Sequence, residues 1–459
     1  MKNPFRTLLL FLTGILAGAT VHAQKPNFII ILADDLGYGD VGFTGSSQIQ
    51  TPHIDRLAGD GVIFTQGYVS APVCGPSRAG LITGRNQVEF GVDNNLTQRL
   101  PQFNDDYHGL PVTEKTIADR LAALGYRNSI IGKWHLGEDE KFQPLQRGFH
   151  EFWGYLGGGH HYFKSEPNGE GYLCPIVCTY KEAQAITYLT DDKGDECVDF
   201  IRRHKEQPFF LFASFNAPHA PMHATKEDLK LFKHIKDKKR RAYCAMTHRL
   251  DVNVGRIINE LKKHDLYENT LIAFLSDNGG PKSNGSLNAP LNGSKGILLE
   301  GGIRVPFAIS WPQAIDAGQV YHHPVSSLDL TATFVELAGG KITTEDKLDG
   351  VNLMPYILGE DKGRPHPEMK WQFTISKSIR QGDWKLVQIP DRLPMLYNIK
   401  ADISEQNNLA HLHGDKVATM LKELGDWSVG LPHPLFLEGA NWKQEQLKLY
   451  DYPWRLEQF

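Results

Sequence analysis

Apolar residues recur along the chain in two patterns. Runs that are apolar at nearly every position, rich in β-branched and aromatic residues, occur at Asn27–Ala33, Val62–Phe64, 126–131, 208–215 and 270–275. Such runs suit strands of a sheet that is covered on both faces. Between them the apolar positions fall three and four apart. At 52–61, Ile54, Leu57 and Ala58 share a face. At 113–124 the face is Ile117, Leu121 and Leu124, with Thr113 to cap the start and Gly125 to end it. At 237–264 it is Met246, Leu250, Val254, Ile257, Ile258 and Leu261, and at 327–337 it is Leu330, Phe334 and Leu337. Each pattern predicts an amphipathic helix. Alternating strands and helices place this part of the chain in the α/β class.

Beyond residues 359–367, polar and proline-bearing, the pattern shortens. Runs at 372–375, 378–380, 384–389 and 396–398, joined by turns such as Gly382-Asp383, predict an antiparallel sheet. Asp415 caps a last helix with Val417, Leu421, Leu424 and Trp427 facing inward. The tail aromatics Trp442, Tyr450, Tyr452 and Trp454 serve for packing or for stacking on sugar rings. The domain reading is a leader at 1–23, a large domain at 24–362 and a smaller α+β unit at 363–459.

The leader reading rests on Lys2 and Arg6, an apolar run from Leu8 to Ala19, and Val21-His22-Ala23 ahead of Gln24. This is the layout of a cleaved export signal, too short for a membrane anchor. The expected location is the periplasm or the outside of the cell, with no membrane anchor. Losing the leader moves the formal charge from −4 to about −6, which argues against nucleic acid as a partner. Four cysteines besides Cys74 allow three disulfide pairings in an oxidising compartment. No compact Cys/His quartet points to zinc.

Polar residues capable of chemistry gather where the apolar runs end. Asp34-Asp35 follows the first run and Asp277-Asn278 follows 270–275. Acids at the ends of buried strands are costly unless a cation neutralises them, and oxygen donors suit a hard divalent ion. Lys133-Trp134-His135 ends another run, and an extended backbone would point Lys133 and His135 the same way. His219 lies between Pro218 and Pro221, prolines that favour an extended backbone. Gly157-Gly158-Gly159-His160-His161 is a ring-rich loop read as a substrate contact. In Cys74-Gly75-Pro76-Ser77-Arg78 the proline opens a helix with Cys74 at its N-terminus, where anions are stabilised. Alone, Cys-Gly-Pro reads more readily as a small core residue before a turn.

The full stretch from Cys74 to Gly84 resembles the signature of the formylglycine-dependent sulfatases, in the alkaline-phosphatase superfamily. That signature is Cys-x-Pro-Ser-Arg, three variable positions, an aliphatic residue and Thr-Gly; Ile82 stands where leucine is usual. Gly132-Lys133-Trp134-His135-Leu136-Gly137 is similar to the family's second motif, and Pro218-His219-Ala220-Pro221 to its Pro-His-x-Pro string. The resemblance implies a large mixed central sheet flanked by helices and a smaller C-terminal antiparallel sheet. It implies Ca²⁺ held by Asp34, Asp35, Asp277, Asn278 and the residue at 74, and formylglycine made from Cys74 by a maturation enzyme. Arg78 would orient the formylglycine hydrate, while Lys133 and Lys295 bind the sulfate. His219 would protonate the leaving oxygen and His135 accept a proton. Glu300 and Arg304 read as structural partners. The implied partner is a sulfated oligo- or polysaccharide, a carrageenan-type algal galactan first and a glycosaminoglycan next. A phosphoester hydrolase of the same superfamily and a sulfated-glycan binder without turnover are the alternatives.

Overall fold

The computed structural model describes residues 25–96, 107–436 and 441–452. The leader at 1–23 and Trp454 lie outside them, and of Trp442 only the backbone is described. Every run predicted as a strand of the large domain is one. The strand Asn27–Ala33 runs through the middle of a nine-stranded sheet, parallel to Phe209–Ser214 on one side and Thr270–Ser276 on the other. Arg127–Lys133 and then Glu151–Tyr155 extend the parallel block, and antiparallel strands Phe307–Ser310 and Val177–Cys178 flank it. The sheet is therefore mixed.

Burial on both faces explains the unbroken apolar runs. Phe28, Ile30 and Leu32 enter one core with Ile117, Leu121, Leu330 and Phe334. Ile29, Ile31 and Ala33 enter the opposite core with Phe200, Leu250 and Val254. A fully buried Ile or Phe contributes about 1.5–3 kcal/mol, so this strand anchors both layers. Helices Cys74–Thr83, Ile117–Ala123 and Asp329–Leu337 cover the first face. Leu189–His204 and Lys238–Lys263 cover the second.

Four strands, Glu368–Phe373, Ser376–Gln381, Trp384–Gln388 and Met395–Asn398, form the C-terminal antiparallel sheet in chain order. The helix Gly414–Val429 packs Met420 and Leu424 on Ile379, Leu386 and Leu396. The sheet is joined to the large domain through Trp371, whose indole Nε1 donates to the Val69 carbonyl at 2.9 Å. Tyr450 packs rather than faces solvent: its hydroxyl accepts from the Leu298 amide at 2.9 Å.

Two caps differ from the sequence expectation. The helix expected at 113–124 begins at Ile117, because Thr116 and Asp119 form a reciprocal capping box that Thr113 does not. Asp415 lies inside its helix instead of capping it. All five cysteines are free thiols, so none of the three pairings that the sequence allows is made; Cys197 and Cys244 are buried in the core. Among the described residues no helix is long and apolar enough to cross a membrane.

Candidate active site

Ala33 and Ser276 pair in register, so Asp34 and Asp277 leave neighbouring strands at the same level. The Asp35 amide reaches Asp277 Oδ1 at 3.3 Å, and the Asn278 Nδ2 donates to Asp35 Oδ1 at 2.7 Å. All four side chains are buried. Asp35 sits at φ +65°, a left-handed conformation costly for a residue with a Cβ. His135, at φ +59°, shares that conformation. Strained residues of this kind gather at functional sites.

Three cations meet these acids. Lys133 Nζ donates to Asp34 Oδ2 at 2.7 Å, and Lys295 Nζ to Asp35 Oδ1 at 2.7 Å. Arg78, fully buried, places Nε 2.9 Å and Nη2 2.8 Å from Asp277 Oδ2, with Nη1 on the Ser214 hydroxyl at 2.7 Å. Burial opposes ionisation of Asp34, but Lys133, His219, Arg78 and Lys295 hold its carboxyl below the usual range. Burial and the Asp34 charge push the Asp277 carboxyl well above it. The like-charge conflict is what a cation between them relieves. Asp34 Oδ1 and Asn278 Oδ1 are buried with no hydrogen-bond partner among the described residues. Asp34, Asp277 and Cys74 bring ligand atoms within 4.8 Å of one another. Beside the Cys74 sulfur, the oxygens of Asp34, Asp35, Asp277 and Asn278, two of them orphaned, fit a hard divalent ion. A divalent ion among these acids would add to the positive charge of Lys133, Lys295 and Arg78, which suits an anionic substrate.

Cys74 is the first residue of the helix Cys74–Thr83, after Val73 in extended conformation. Its Sγ lies 3.7 Å from Lys295 Nζ and 3.8 Å from Asn95 Oδ1. Burial raises the thiol pKa, yet the Lys133 and Lys295 ammoniums outweigh it and bring the pKa below the ordinary cysteine value. Arg78 contacts the acids and Ser214, with no hydrogen bond to Cys74.

The prolines around His219 do not extend it; the residue lies in a turn closed by its amide on the Asn216 carbonyl at 2.8 Å. Its Nδ1 donates to the Ala220 carbonyl at 2.6 Å, which leaves Nε2 facing Asp35 Oδ2 at 3.6 Å. His135 is buried, and its pKa is driven well below the usual histidine value by burial and by Lys133, so the ring is a neutral base. The alternation expected of Lys133 and His135 gives way to a left-handed backbone at 135. His160 is not aimed at a ligand: both ring nitrogens lie on backbone carbonyls, those of His161 at 2.6 Å and Cys174 at 2.8 Å. The His161 ring packs tilted against that of His223, ring centroids 4.1 Å apart.

Three residues escaped the sequence reading. Half-exposed Tyr172 places its ring 6.4 Å from that of His219, carried there by the His161 amide on its carbonyl at 2.7 Å. Lys193 is buried, its Nζ on Asn216 Oδ1 at 2.7 Å, bracing the His219 turn. Asn95 accepts from the Gly75 amide at 2.8 Å and so holds the start of the Cys74 helix. None belongs to a motif: Tyr172 and Asn95 lie on loops without periodicity, and Lys193 lies on the helix Leu189–His204 among buried polar residues.

The sulfatase family model matches residues 26–340, and that of the C-terminal part of N-sulphoglucosamine sulphohydrolase matches 294–426. The chain is 34% identical to N-acetylgalactosamine-6-sulfatase of Sus scrofa over 369 residues, 76% of this chain and 69% of the relative. Arylsulfatase D of Homo sapiens is 30% identical over 440 residues, 78% of this chain and 73% of its own. Among solved structures, Ps i-CgsB in complex with k-i-k-neocarrahexaose is 38% identical, with a TM-score of 0.85, covering 94% of this chain and 98% of that one. The fold also matches a sulfatase structure from Bacteroides thetaiotaomicron at a TM-score of 0.74 and 24% identity, over 89% of this chain and all of the other. With its motifs assembled at the carboxyl ends of the central parallel strands, the chain belongs to the sulfatase family and is a sulfuric ester hydrolase.

Proposed function

We propose that the protein removes sulfate esters from a sulfated carbohydrate of the carrageenan type, with formylglycine made from Cys74 as nucleophile and Ca²⁺ as its metal. The observation that carries the chemistry is the meeting of Cys74 with Lys133, Lys295 and the buried acids. Support for the substrate is the likeness, over nearly the whole of both chains, to a structure that holds a neocarrahexaose. Glycosaminoglycan sulfate is the second reading, favoured by the N-acetylgalactosamine-6-sulfatase relatives.

Asp34, Asp35, Asp277 and Asn278 would hold the ion, which supplies positive charge to a sulfate oxygen. Formylglycine at residue 74 would supply a hydrate with two hydroxyls, chemistry that a thiol lacks. Lys133 and Lys295 bind sulfate oxygens and offset charge that builds during transfer. Arg78 acts through Asp277, fixing the acid from behind. His219, with Nε2 open to the site, protonates the departing sugar oxygen. Neutral His135 takes a proton. The half-exposed Tyr172 ring beside His219 offers a sugar an apolar face.

Inorganic sulfate release from defined carrageenan and glycosaminoglycan oligosaccharides tests the reading, with conversion at Cys74 checked by the mass of its tryptic peptide. Release from carrageenan alone supports the first reading and release from glycosaminoglycans alone the second. Silence across the panel in converted protein rejects both. Export with leader cleavage before Gln24 is read from the N-terminal sequence of the mature protein.

His219→Ala separates protonation from binding. Turnover of a sugar sulfate is expected to fall roughly 10²–10³-fold, while a nitrophenyl sulfate, whose leaving group needs no proton, loses far less. Equal losses on both substrates would remove His219 from the leaving-group role. For the metal, Ca²⁺ added to chelator-stripped protein is expected to raise the melting temperature. At 100-fold over its Kd the gain is about 2.7 kcal/mol. Asp34→Asn should blunt the response, and a melt unchanged by Ca²⁺ would discard the ion.

A further inference from the structure

The segment that follows Asn278 serves two places at once. Buried Asn284 brings its amide to within 3.5 Å of the Asp35 and Pro218 carbonyls, and the Gly280 carbonyl accepts from the Lys295 amide at 3.4 Å. The same segment, with the start of the helix Lys238–Lys263 and with Tyr452, lines a separate cavity of about 680 Å³. That is room for a sugar unit or two.

The cavity is basic, although the chain as a whole carries a formal charge of −4. Lys236, Lys239, Lys282 and Arg240 line it against one acid, Asp237. Asp237 is already used: it caps the helix by accepting from the Arg240 amide at 2.7 Å. Lys236, Lys239 and Lys282 are exposed and pair with no carboxylate among the described residues. Lys282 lies 3.2 Å above the Tyr452 ring. Arg240 is built into the wall, its side chain only 7% exposed. Nη1 pairs with Asp40 at 2.6 Å and Nε donates to Gln48 at 2.9 Å, while Nη2 is buried with no hydrogen-bond partner among the described residues. A 26-residue helix adds the positive end of its dipole. Among the described residues, three exposed lysines that meet no carboxylate, with a buried arginine in the wall whose one guanidinium nitrogen lacks a hydrogen-bond partner, give the cavity the chemistry of an anion site.

We propose that this cavity is a second anion subsite, which takes a further sulfate group of a multiply sulfated glycan while the reacting sulfate lies at Cys74. The proposal deepens the carbohydrate reading above and rests on it. A substrate with one sulfate would not use the subsite.

The test uses Lys236→Ala/Lys282→Ala, made in the Cys74→Ala protein for binding and in the parent for turnover. Calorimetry compares a carrageenan hexaose carrying several sulfates with a monosulfated galactose. The double substitution is expected to weaken the hexaose roughly tenfold and flatten its salt dependence, leaving the monosulfated sugar unchanged. Unchanged hexaose affinity, an equal loss on both ligands, or no hexaose binding would overturn the subsite. Sulfate release from the same hexaose by the parent is measured in parallel. A selective binding loss without release keeps the subsite and discards that glycan as substrate.

Discussion

Replacing Cys74 with alanine is expected to cut sulfate release at least about 10⁴-fold while changing stability by no more than about 1 kcal/mol. The two halves of this expectation have separate causes. Structurally the thiol does little: its nearest polar neighbours are Lys295 Nζ at 3.7 Å and Asn95 Oδ1 at 3.8 Å, both long contacts. The helix start is held instead by Asn95 on the Gly75 amide. Chemically the proposed function asks most of this residue, since it would carry the nucleophile, with the Lys133 and Lys295 ammoniums beside it. Sulfate assay and thermal melting, done on one preparation, check both halves. Substantial turnover in a well-folded Cys74→Ala protein would sink the assignment of residue 74.

The central strand and the acids at its end are legible in the sequence. Asn27–Ala33 reads as a buried strand because both of its faces are covered, and Asp34-Asp35 reads as a site because charge is costly at such a position. The helix Leu189–His204 was missed for a physical reason. Between Leu189 and Cys197 its buried positions are Thr190, Lys193, Gly194 and Glu196, so the apolar stripe is broken over the first half of the helix. Gly194 is small because a Cβ there would lie 1.9 Å from Asn253 Oδ1 on the neighbouring helix. Glu151–Tyr155 escaped for a similar reason, with a buried Glu151 and a glycine at 154. His160 and His161 read as a substrate contact by composition, and His160 places both ring nitrogens on backbone carbonyls. Tyr172, on a loop with no periodic signal, holds the place beside His219.

The motif around Glu300 also carries more than its spacing tells. Glu300 was read with Arg304 as a structural pair, and Arg304 Nη1 does lie 3.2 Å from Glu300 Oε2. What the spacing did not reveal is that the C-terminal sheet reaches in to the same place. Lys385, fully buried on the strand Trp384–Gln388, lies 2.9 Å from Glu300 and 2.9 Å from Glu405. Burial pushes Glu405 up to about 7, with the Glu300 charge adding to the effect. Glu300 sits lower, at about 2, because Lys385, Arg304 and Arg380 outweigh its burial. Lys295 is five residues before Glu300, so this clamp also braces the loop that brings an ammonium to Asp35 and Cys74.

Lys385→Met is therefore expected to destabilise the protein by about 3–5 kcal/mol, since two buried carboxylates are left facing each other without their cation. The sign of the pH effect follows. In the parent, the raised Glu405 contributes stability that is present below its unfolded value of 4.5 and is lost as pH rises through about 7. The depressed Glu300 contributes stability that is present above 4.5 and is lost only as pH falls through about 2. Without Lys385 both carboxylates hold protons more tightly, so the deficit is largest at pH 8 and shrinks toward pH 5, where protonation relieves the repulsion. Urea melts of parent and variant at the two pH values measure this, and a variant as stable as its parent at pH 8 refutes the clamp. Adding Glu405→Gln removes one of the opposed charges and should recover part of the loss, a coupling that a mere packing defect at Lys385 would not produce. Activity gives an independent reading: if the C-terminal sheet braces Lys295 through Glu300, the folded fraction of Lys385→Met should bind sulfate ester more weakly than its parent.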